Sequence, residues 1–272
     1  DDGRLKHCFW ADGIARKNYQ FFSDVIIFYT TYNTNKYSLV FAPFTGVNHH
    51  RQTITFGCAF LCNEKTESFV WLFETFLKCM DGRHPGAIVT DQDPAMDKAI
   101  KLIFPSTYHR LCIWHILKKE TEKLGAIAHR KEFYEPFHSL IYGAKNEEIF
   151  ESQWIELMKD NCMEGNEWLK SIYAIHHAWV PVYSKGIFLA GIRSSQRSES
   201  QNSFYSKYVN KKNSLIEFIH RYERAIKRQR LNEAKKLMKT HIKAPNWSLH
   251  SRWNLRWQRF ILEKCFISFN KN

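Results

Sequence analysis

The chain has 272 residues, and its 44% hydrophobic and 25% charged residues are the composition of an ordinary globular protein. No apolar run approaches the roughly 20 residues of a spanning helix, and the seven cysteines are scattered without a Cys-x-x-Cys pair, which argues against membrane insertion and a disulfide scaffold. The net charge of +13 predicts a polyanionic partner, nucleic acid before an anionic membrane surface; a basic protein without such a partner is the alternative. Because the chain begins with Asp1 rather than Met, we expect a fragment or an incomplete gene model.

The first part of the chain predicts strands that follow one another closely. "HCFWADG" is typical of a short strand and a turn, and "IARKNYQFF" of a short helix. Val25–Thr31 is continuously apolar, as a central strand should be. A turn at "NTNK" then leads to strands at Tyr37–Phe44 and Thr53–Leu61. This spacing predicts an antiparallel meander.

A helix, a strand and another helix are predicted next. Apolar residues in "TESFVWLFETFLKCM" follow a helical period, with Thr66 as the N-cap. Ala87–Thr90 is a short strand, and a second helix starts at Asp93 and Pro94 and ends near Phe104. This order predicts an α/β fold, in which a mixed sheet has helices against its faces.

The remainder of the chain predicts mainly helices. "YHRLCIWHILKKETEKL" is predicted as one helix, and "EEIFESQWIELMKD" and "NEWLKSIYAIHHAWV" as two more before Pro181. A further helix carries "QRSESQNSFYSKYV", and a long basic helix runs from Ser214 to Lys239. The tail after it is rich in Trp and Arg but has no period, so no element is predicted there.

Two carboxylates, Asp91 and Glu199, are candidates for a magnesium site. Asp91 follows the short strand Ala87–Thr90, and Glu199 lies on a predicted helix much later in the chain. Mg²⁺ prefers oxygen ligands, and two such ions can clamp a phosphodiester during in-line attack. The alternative is that Asp91 is a turn residue and Glu199 a solvated helix position, which the spacing alone favours.

Several separated motifs resemble one known family. They are "DVIIFYTTYNTNKYSLVFAPFTGVNHHRQTITFGCAFL", "AIVTDQDPAM", "FPSTYHRLCIWHILKK" and "RSSQRSESQNSF", in this order. Together they resemble the Mutator-like transposase domain, and more closely that of the plant far-red-impaired-response family, from Leu5 to Lys239. The resemblance implies a ribonuclease-H-like mixed sheet, with three antiparallel strands and then a parallel strand, and a large helical insertion.

On this resemblance we divide the chain into five segments. They are an N-terminal strand and helix (1–23), the transposase core (24–118), an all-helical insertion (119–190), a segment with the Glu199-bearing helix and the basic helix (191–242), and a divergent tail (243–272).

The resemblance also implies an acidic triad, and the first of its three positions is altered. Asp91, in "TDQD", matches the second position, and Glu199, in "QRSESQN", matches the third. At the first position, where the family commonly reads Asp-Thr-Thr-Tyr, this chain has Tyr29. A phenol with a pKa of about 10 is neutral at pH 7 and cannot bridge metal ions as an aspartate does. Asp24, on the opposite face of the strand, and Asp12, in a turn, do not replace that charge.

Cys112 and His115 form a second motif. They match a Cys-x-x-His pattern that Mutator-like transposases carry after the second aspartate, and the predicted helix places His109, Cys112 and His115 along one side. A zinc site needs further ligands, for which His176 and His177 are a candidate pair; packing of the insertion against the core is the favoured alternative. The zinc-binding segments of the family are not visible, so no cofactor is expected except Mg²⁺ at a residual acidic site.

The long basic helix predicts a contact with DNA. Its predicted inward stripe is apolar and consists of Leu215, Ile216, Ile219, Tyr222, Ala225 and Ile226. The candidate nucleic-acid-binding residues are Arg193 and Arg197, beside the acidic positions, and Arg221, Arg224, Lys227, Arg228, Lys235 and Lys236 on the helix. Each contact of Lys or Arg with phosphate releases counterions and steepens the salt dependence of binding. A solvated amphipathic helix without a partner is the alternative.

The turn "VNHHRQ" resembles the family pattern Asn-His-His-Gly-Gln, but this chain has Arg51 at the position of the glycine. If this turn requires a positive φ at that residue, an arginine there strains the backbone by roughly 1 kcal/mol. We interpret His49 and His50 as turn residues rather than as metal ligands.

Three functions remain open from the sequence. The first is a transposase-derived, catalytically inactive protein of the nucleus that associates with DNA and regulates transcription, with protein partners in transcription complexes and dimers with family members. The second is an active transposase that cuts and joins DNA with two Mg²⁺ ions. The third is a protein-interaction module that does not itself bind DNA. Tyr29 favours the first function over the second, and the basic helix favours the first over the third.

Overall fold

The computed structural model of the chain describes residues 5–31, 35–192, 212–243 and 266–270. Its strands are β1 (His7–Ala11), β2 (Val25–Phe28), β3 (Val40–Val47), β4 (Thr53–Leu61), β5 (Ala87–Thr90), β6 (Tyr108–Leu111) and β7 (Phe266–Asn270). They form one sheet in the order β6-β5-β2-β3-β4-β1-β7. β2, β5 and β6 run parallel, whereas the pairs from β2 through β3, β4 and β1 to β7 are antiparallel. The mixed α/β architecture predicted from the sequence is confirmed.

The helices cover both faces of this sheet. They are α1 (Gly13–Phe22), α2 (Thr66–Cys79), α3 (Pro94–Ile103), α4 (Ile113–Leu117), α5 (Glu120–Leu124), α6 (Lys131–Gly143), α7 (Glu147–Asp160), α8 (Glu167–Ala174) and α9 (Leu215–Lys243), with 3₁₀ turns at Gly125–His129, His176–Ala178 and Pro181–Ser184. α1, α2 and α3 share one core with the sheet, in which Phe44 and Phe76 stack at 4.0 Å. Helices α4 to α8 enclose a core of their own. In the part of the chain that is described, no helix is both long and apolar enough to cross a membrane.

Local sequence signals explain several of these boundaries. The carboxylate of Asp93 accepts a hydrogen bond from the backbone N–H of Met96 at 2.7 Å, and Pro94 occupies the first turn, so α3 begins where it was predicted. β4 and α7 also have the predicted bounds. β2 is continuously buried, as expected for a strand between two layers of helices.

The first hairpin differs from the prediction. β2 ends at Phe28 rather than Thr31, and β3 starts at Val40 rather than Tyr37. The physical reason for the late start of β3 is the side chain of Asn35, which donates to the carbonyl of Leu39 at 2.7 Å and accepts from its N–H at 3.2 Å. These bonds close a turn over residues that have strand propensity.

The predicted helix "YHRLCIWHILKKETEKL" is wrong in its first part. Tyr108–Leu111 is strand β6, which pairs in parallel with β5, and two short helices follow it. Arg110 is 2% exposed and donates to the Ser184 hydroxyl and, at 3.0 Å, to the carbonyl of Trp179. The hydrophobic pattern did not indicate this strand, because a buried strand position is occupied by the charged Arg110, which is hydrogen-bonded to the helical insertion.

The tail also contains a strand that was not predicted. β7 adds to the edge of the sheet and pairs antiparallel with β1. Its partner lies at the other end of the chain, so no local periodicity could indicate the pairing.

The Arg51 turn has the strained geometry that was expected, with φ of 58°. Asn48 closes this turn by accepting hydrogen bonds from the backbone N–H groups of His50 and Gln52. We expect Arg51→Gly to raise the free energy of unfolding by about 1 kcal/mol, because glycine adopts this conformation without a Cβ clash. Urea unfolding measures the change. Arg51→Ala keeps the Cβ and should give no comparable gain; an equal gain would show that the arginine side chain, not the backbone, causes the strain.

Candidate functional site

Three neighbouring strand ends meet at one edge of the sheet. β2 and β6 both pair with β5 in parallel register. Continued beyond the strands, this register places Tyr29, Asp91 and Cys112 side by side and on the same face. The backbone N–H of Cys112 donates to the carbonyl of Thr90 at 2.7 Å, which holds two of these ends together. The first two positions of the implied triad are therefore adjacent.

Tyr29 fills the first position with a buried aromatic ring. It is 4% exposed and belongs to an apolar cluster that includes Val25, Val89 and Leu189. Its ring meets that of His115 edge to face, with centroids 4.9 Å apart. The first strand thus contributes packing, rather than a carboxylate, to this edge of the sheet.

Asp91 is half-buried in surroundings that disfavour its charge. Burial raises its pKa to about 6, and the charges of Asp93 and Glu64 act in the same direction. Its Oδ1 atom is buried and has no hydrogen-bond partner. The carboxylate that best matches the family pattern is therefore poorly stabilised as an anion.

Glu64 is a residue of this site that the sequence analysis missed. It lies between β4 and α2, and its side chain is hydrogen-bonded to Thr30. Burial raises the pKa of Glu64, and the charge of Asp93 raises it further. The predicted meander contained the signal, because its first and third strands run in the same direction and so end at the same edge. Glu64 follows the third strand as Tyr29 follows the first.

Cys112 and His115 do not lie along one helix as predicted. Cys112 lies between the end of β6 and the start of α4, and it is buried. His115 lies within α4, where burial lowers its pKa to about 4, with Lys118 and Lys119 contributing. His109 lies on β6 instead, with Nε2 2.8 Å from the Thr90 hydroxyl.

The Mg²⁺ centre that the resemblance implies does not fit the described residues. Tyr29 supplies a neutral phenol in place of the implied bridging carboxylate. Within the described ranges, one group of three possible ligands brings its atoms within 4.8 Å of one another; it lies in the helical insertion and does not include Asp91. Glu199, Arg193 and Arg197 lie outside the described residues.

Helix α9 presents one face to the sheet and one to solvent. Phe218, Ala225 and Ile226 are buried, and Phe218 meets Phe41 and Phe60 at 4.9 and 4.7 Å. The predicted apolar stripe is wrong for two residues: Ile216 and Ile219 are 69% and 45% exposed. The inward face is completed instead by polar residues, which bond to the β3–β4 hairpin and to α1. They are Gln229 (to Thr55, 3.1 Å), Arg230 (to Asp12, 2.7 Å) and Glu233 (to Asn48, 3.0 Å).

The candidate DNA-binding residues of α9 lie mainly on the outward face. Arg224, Lys227, Arg228, Lys235 and Lys236 are exposed, and Arg221 is half-buried. Arg221, Arg224, Arg228 and Lys235 follow the spacing of one side of a helix, so they form a basic stripe, which the exposed Leu231 interrupts. We call these four residues the basic stripe.

Known proteins resemble this chain over most of its length. Residues 25–119 match the family described as MULE transposase domain. Three curated relatives, all from Arabidopsis thaliana, are Protein FAR1-RELATED SEQUENCE 5 (38% identical over 100% of this chain), Protein FAR-RED IMPAIRED RESPONSE 1 (40% over 82%) and Protein FAR1-RELATED SEQUENCE 12 (37% over 86%). The chain covers 34%, 27% and 29% of these relatives, about a third of their length.

The match to FAR1-RELATED SEQUENCE 5 corrects the prediction that the family resemblance ends at Lys239. The similarity does not end at Lys239, because the match to FAR1-RELATED SEQUENCE 5 spans all 272 residues, including the tail that contains β7. The family resemblance is therefore confirmed: this chain carries the MULE transposase domain at residues 25–119 and is a relative of the FAR-RED IMPAIRED RESPONSE 1 and FAR1-RELATED SEQUENCE proteins.

Proposed function

We propose that this chain is the core of a transposase-derived, catalytically inactive protein that associates with DNA in the nucleus and regulates transcription. The observation that carries the proposal is Tyr29, a buried phenol beside Asp91 at the position of an implied catalytic aspartate. Its partners on this proposal are DNA, transcription proteins and other family members.

The strand arrangement supports a ribonuclease-H-like core. β2, β3 and β4 form an antiparallel meander, and β5 and β6 then add in parallel on the other side of β2. This is the order of three antiparallel strands followed by parallel strands that the transposase resemblance implies. On this proposal, the first and second acidic positions follow the adjacent strands β2 and β5, where enzymes of that type bind their ions.

The electrostatics of the site support inactivity. Two-ion cleavage needs several ionised carboxylates around the metals. Here one position is a phenol, and the surroundings of Asp91 raise its pKa instead of lowering it. With a neutral phenol at one of the three implied positions, the site lacks one of the negative charges that hold two divalent cations.

Glu64 is the observation that favours the alternative, an active transposase. Its carboxylate is close enough to Asp91 to raise the pKa of that group. Glu64 follows β4, whereas the first position of the implied triad follows β2, so Glu64 does not match the family pattern. A test of inactivity must therefore include Glu64.

Activity and metal affinity test this proposal together. The wild-type chain should not cleave or join terminal-repeat DNA with Mg²⁺ or Mn²⁺. Tyr29→Asp should raise Mn²⁺ affinity about tenfold or more, because it restores an anionic ligand beside Asp91. Titration calorimetry measures the affinity. The matched control is Tyr29→Asn, because asparagine is similar in size to aspartate but neutral.

Two results would contradict the proposal. One is cleavage by the wild-type protein that Asp91→Asn and Glu64→Gln each abolish, which would make Glu64 the third ligand of a working site. The other is equal metal affinity in Tyr29→Asp and Tyr29→Asn, provided that both retain wild-type circular dichroism. That result would mean that the loss of charge at Tyr29 does not limit metal binding.

A further inference from the structure

Three metal-binding side chains meet inside the helical insertion. Glu151 lies on α7, and His176 and His177 form the 3₁₀ turn after α8. One ligand atom from each of them lies within 4.8 Å of the others. α7 and this turn are separate elements of the insertion, so the tertiary fold, not local spacing, brings the three side chains together.

The geometry of His176 indicates that a cation belongs between it and Glu151. His176 is 6% exposed, and its Nδ1 is hydrogen-bonded to the carbonyl of Tyr173. A carbonyl oxygen can only accept, so Nδ1 carries the proton and Nε2 of the neutral ring presents a lone pair. That Nε2 atom is buried, has no hydrogen-bond partner, and faces Oε1 of Glu151 at 3.7 Å. The lone pairs of this nitrogen and of the carboxylate oxygen therefore face each other, an arrangement that a cation between them would stabilise.

The distance between His176 and Glu151 and the types of ligand fit zinc. Bonds of about 2.1 Å in a tetrahedral site separate neighbouring ligand atoms by roughly 3.4 Å, close to the 3.7 Å between Nε2 of His176 and Oε1 of Glu151. Imidazole and carboxylate together suit Zn²⁺, whereas Mg²⁺ prefers oxygen ligands alone. Glu151 is half-exposed and His177 is exposed, which leaves a path for the ion and room for a water molecule as fourth ligand.

Neighbouring groups hold the ligands in position. The hydroxyl of Tyr183 donates to Oε1 of Glu151 at 3.1 Å. The ring of Tyr173 stacks on His176 at 4.6 Å. A histidine that donates its second N–H to a carbonyl, next to a hydrogen-bonded carboxylate, has the outer contacts that metal ligands usually have.

We propose that Glu151, His176 and His177 bind one Zn²⁺ ion. The ion joins α7 to the turn that follows α8 and so stabilises the helical insertion against unfolding. This site is separate from the strand-end residues around Asp91, and it does not depend on the proposed function.

Zinc binding to the complete 272-residue chain, prepared without metal, tests the proposal. Titration calorimetry should give one ion per chain. Glu151→Gln and His177→Gln should each lower the affinity about a hundredfold, and Tyr183→Phe about tenfold, since the tyrosine only orients a ligand. Glu148→Gln, on the same helix, and His220→Gln, both at exposed positions, are the matched controls and should bind as the wild type does.

The outcomes separate three explanations. Unchanged affinity in both Glu151→Gln and His177→Gln would place the zinc elsewhere, for example on cysteines, and would overturn the proposal. No binding at micromolar zinc would overturn it too, and would assign the cluster to an ion pair between protonated His176 and Glu151. Substituted Co²⁺ adds an independent readout: a tetrahedral visible spectrum without a thiolate band supports the assigned ligands.

Discussion

Replacing the four residues of the basic stripe by glutamine together is expected to lower the affinity for duplex DNA about four-thousandfold at 0.1 M salt. The stripe lies on the outward face of α9, and three of its members, Arg224, Arg228 and Lys235, are exposed. Each phosphate contact contributes about one order of magnitude at this salt concentration, because bound counterions are released. Fluorescence anisotropy with a labelled duplex, repeated at several salt concentrations, measures both the affinity and its salt dependence.

The slope of that dependence is the sharper readout. Loss of four phosphate contacts should reduce the slope of log affinity against log salt by about 3.6. A control with the same change in net charge replaces four exposed lysines of the helical insertion by glutamine: Lys131, Lys145, Lys159 and Lys170. It should change the slope little. If the wild type does not bind near 50 mM salt, or binds with a flat salt dependence, the chain is better explained as a protein-interaction module.

Asp91→Asn is expected to raise the free energy of unfolding by about 2 kcal/mol at pH 7.5 and to have no such effect near pH 4. The pKa of Asp91 is raised to about 6 in the folded protein, mainly by burial. An aspartate in the unfolded chain has a pKa of about 4. Between pH 4 and pH 6, Asp91 therefore keeps its proton in the folded state but has released it in the unfolded state. The stability of the wild type therefore falls as the pH rises through this window, and an asparagine, which does not ionise, avoids the loss.

Urea unfolding of the wild type and Asp91→Asn between pH 4 and 8 measures this effect. Asp160→Asn, at an exposed carboxylate at the end of α7, is the control and should show no such gain. Glu64→Gln should reduce the advantage of Asp91→Asn, because one of the charges that raise the pKa of Asp91 is gone. A destabilising Asp91→Asn at pH 7.5 would contradict the account, and would mean that a cation or donor stabilises the ionised carboxylate.

Strong local signals in the sequence were sufficient for much of the fold. β4, β5 and α7 have the predicted bounds because an apolar run or a helical period is bounded by turn or cap residues. Short turns predicted the antiparallel meander, and the strand predicted at Val25–Thr31 is β2, which Tyr29 directly follows. Where a buried polar residue interrupted the pattern, as Arg110 does in β6, the prediction failed.

The site was less predictable than the fold, for a physical reason. Hydrophobic periodicity reports burial along one element, whereas the environment of a charged group depends on residues that the chain folds beside it. Glu64 next to Asp91 and Glu151 next to His176 are contacts of that second kind.

The sequence by itself determined the family motifs, the net charge, the helical and strand periods and the tyrosine at the first acidic position. Only the tertiary structure decided which strands are neighbours, that Glu64 lies near Asp91, that Ile216 and Ile219 face outward, and that the insertion gathers two histidines and a glutamate. Hydrophobic periodicity and helix capping depend on residues close together in the sequence, so they can be predicted from the sequence alone. Pairing between distant strands, and the meeting of charged groups on different elements, depend on packing of the whole chain.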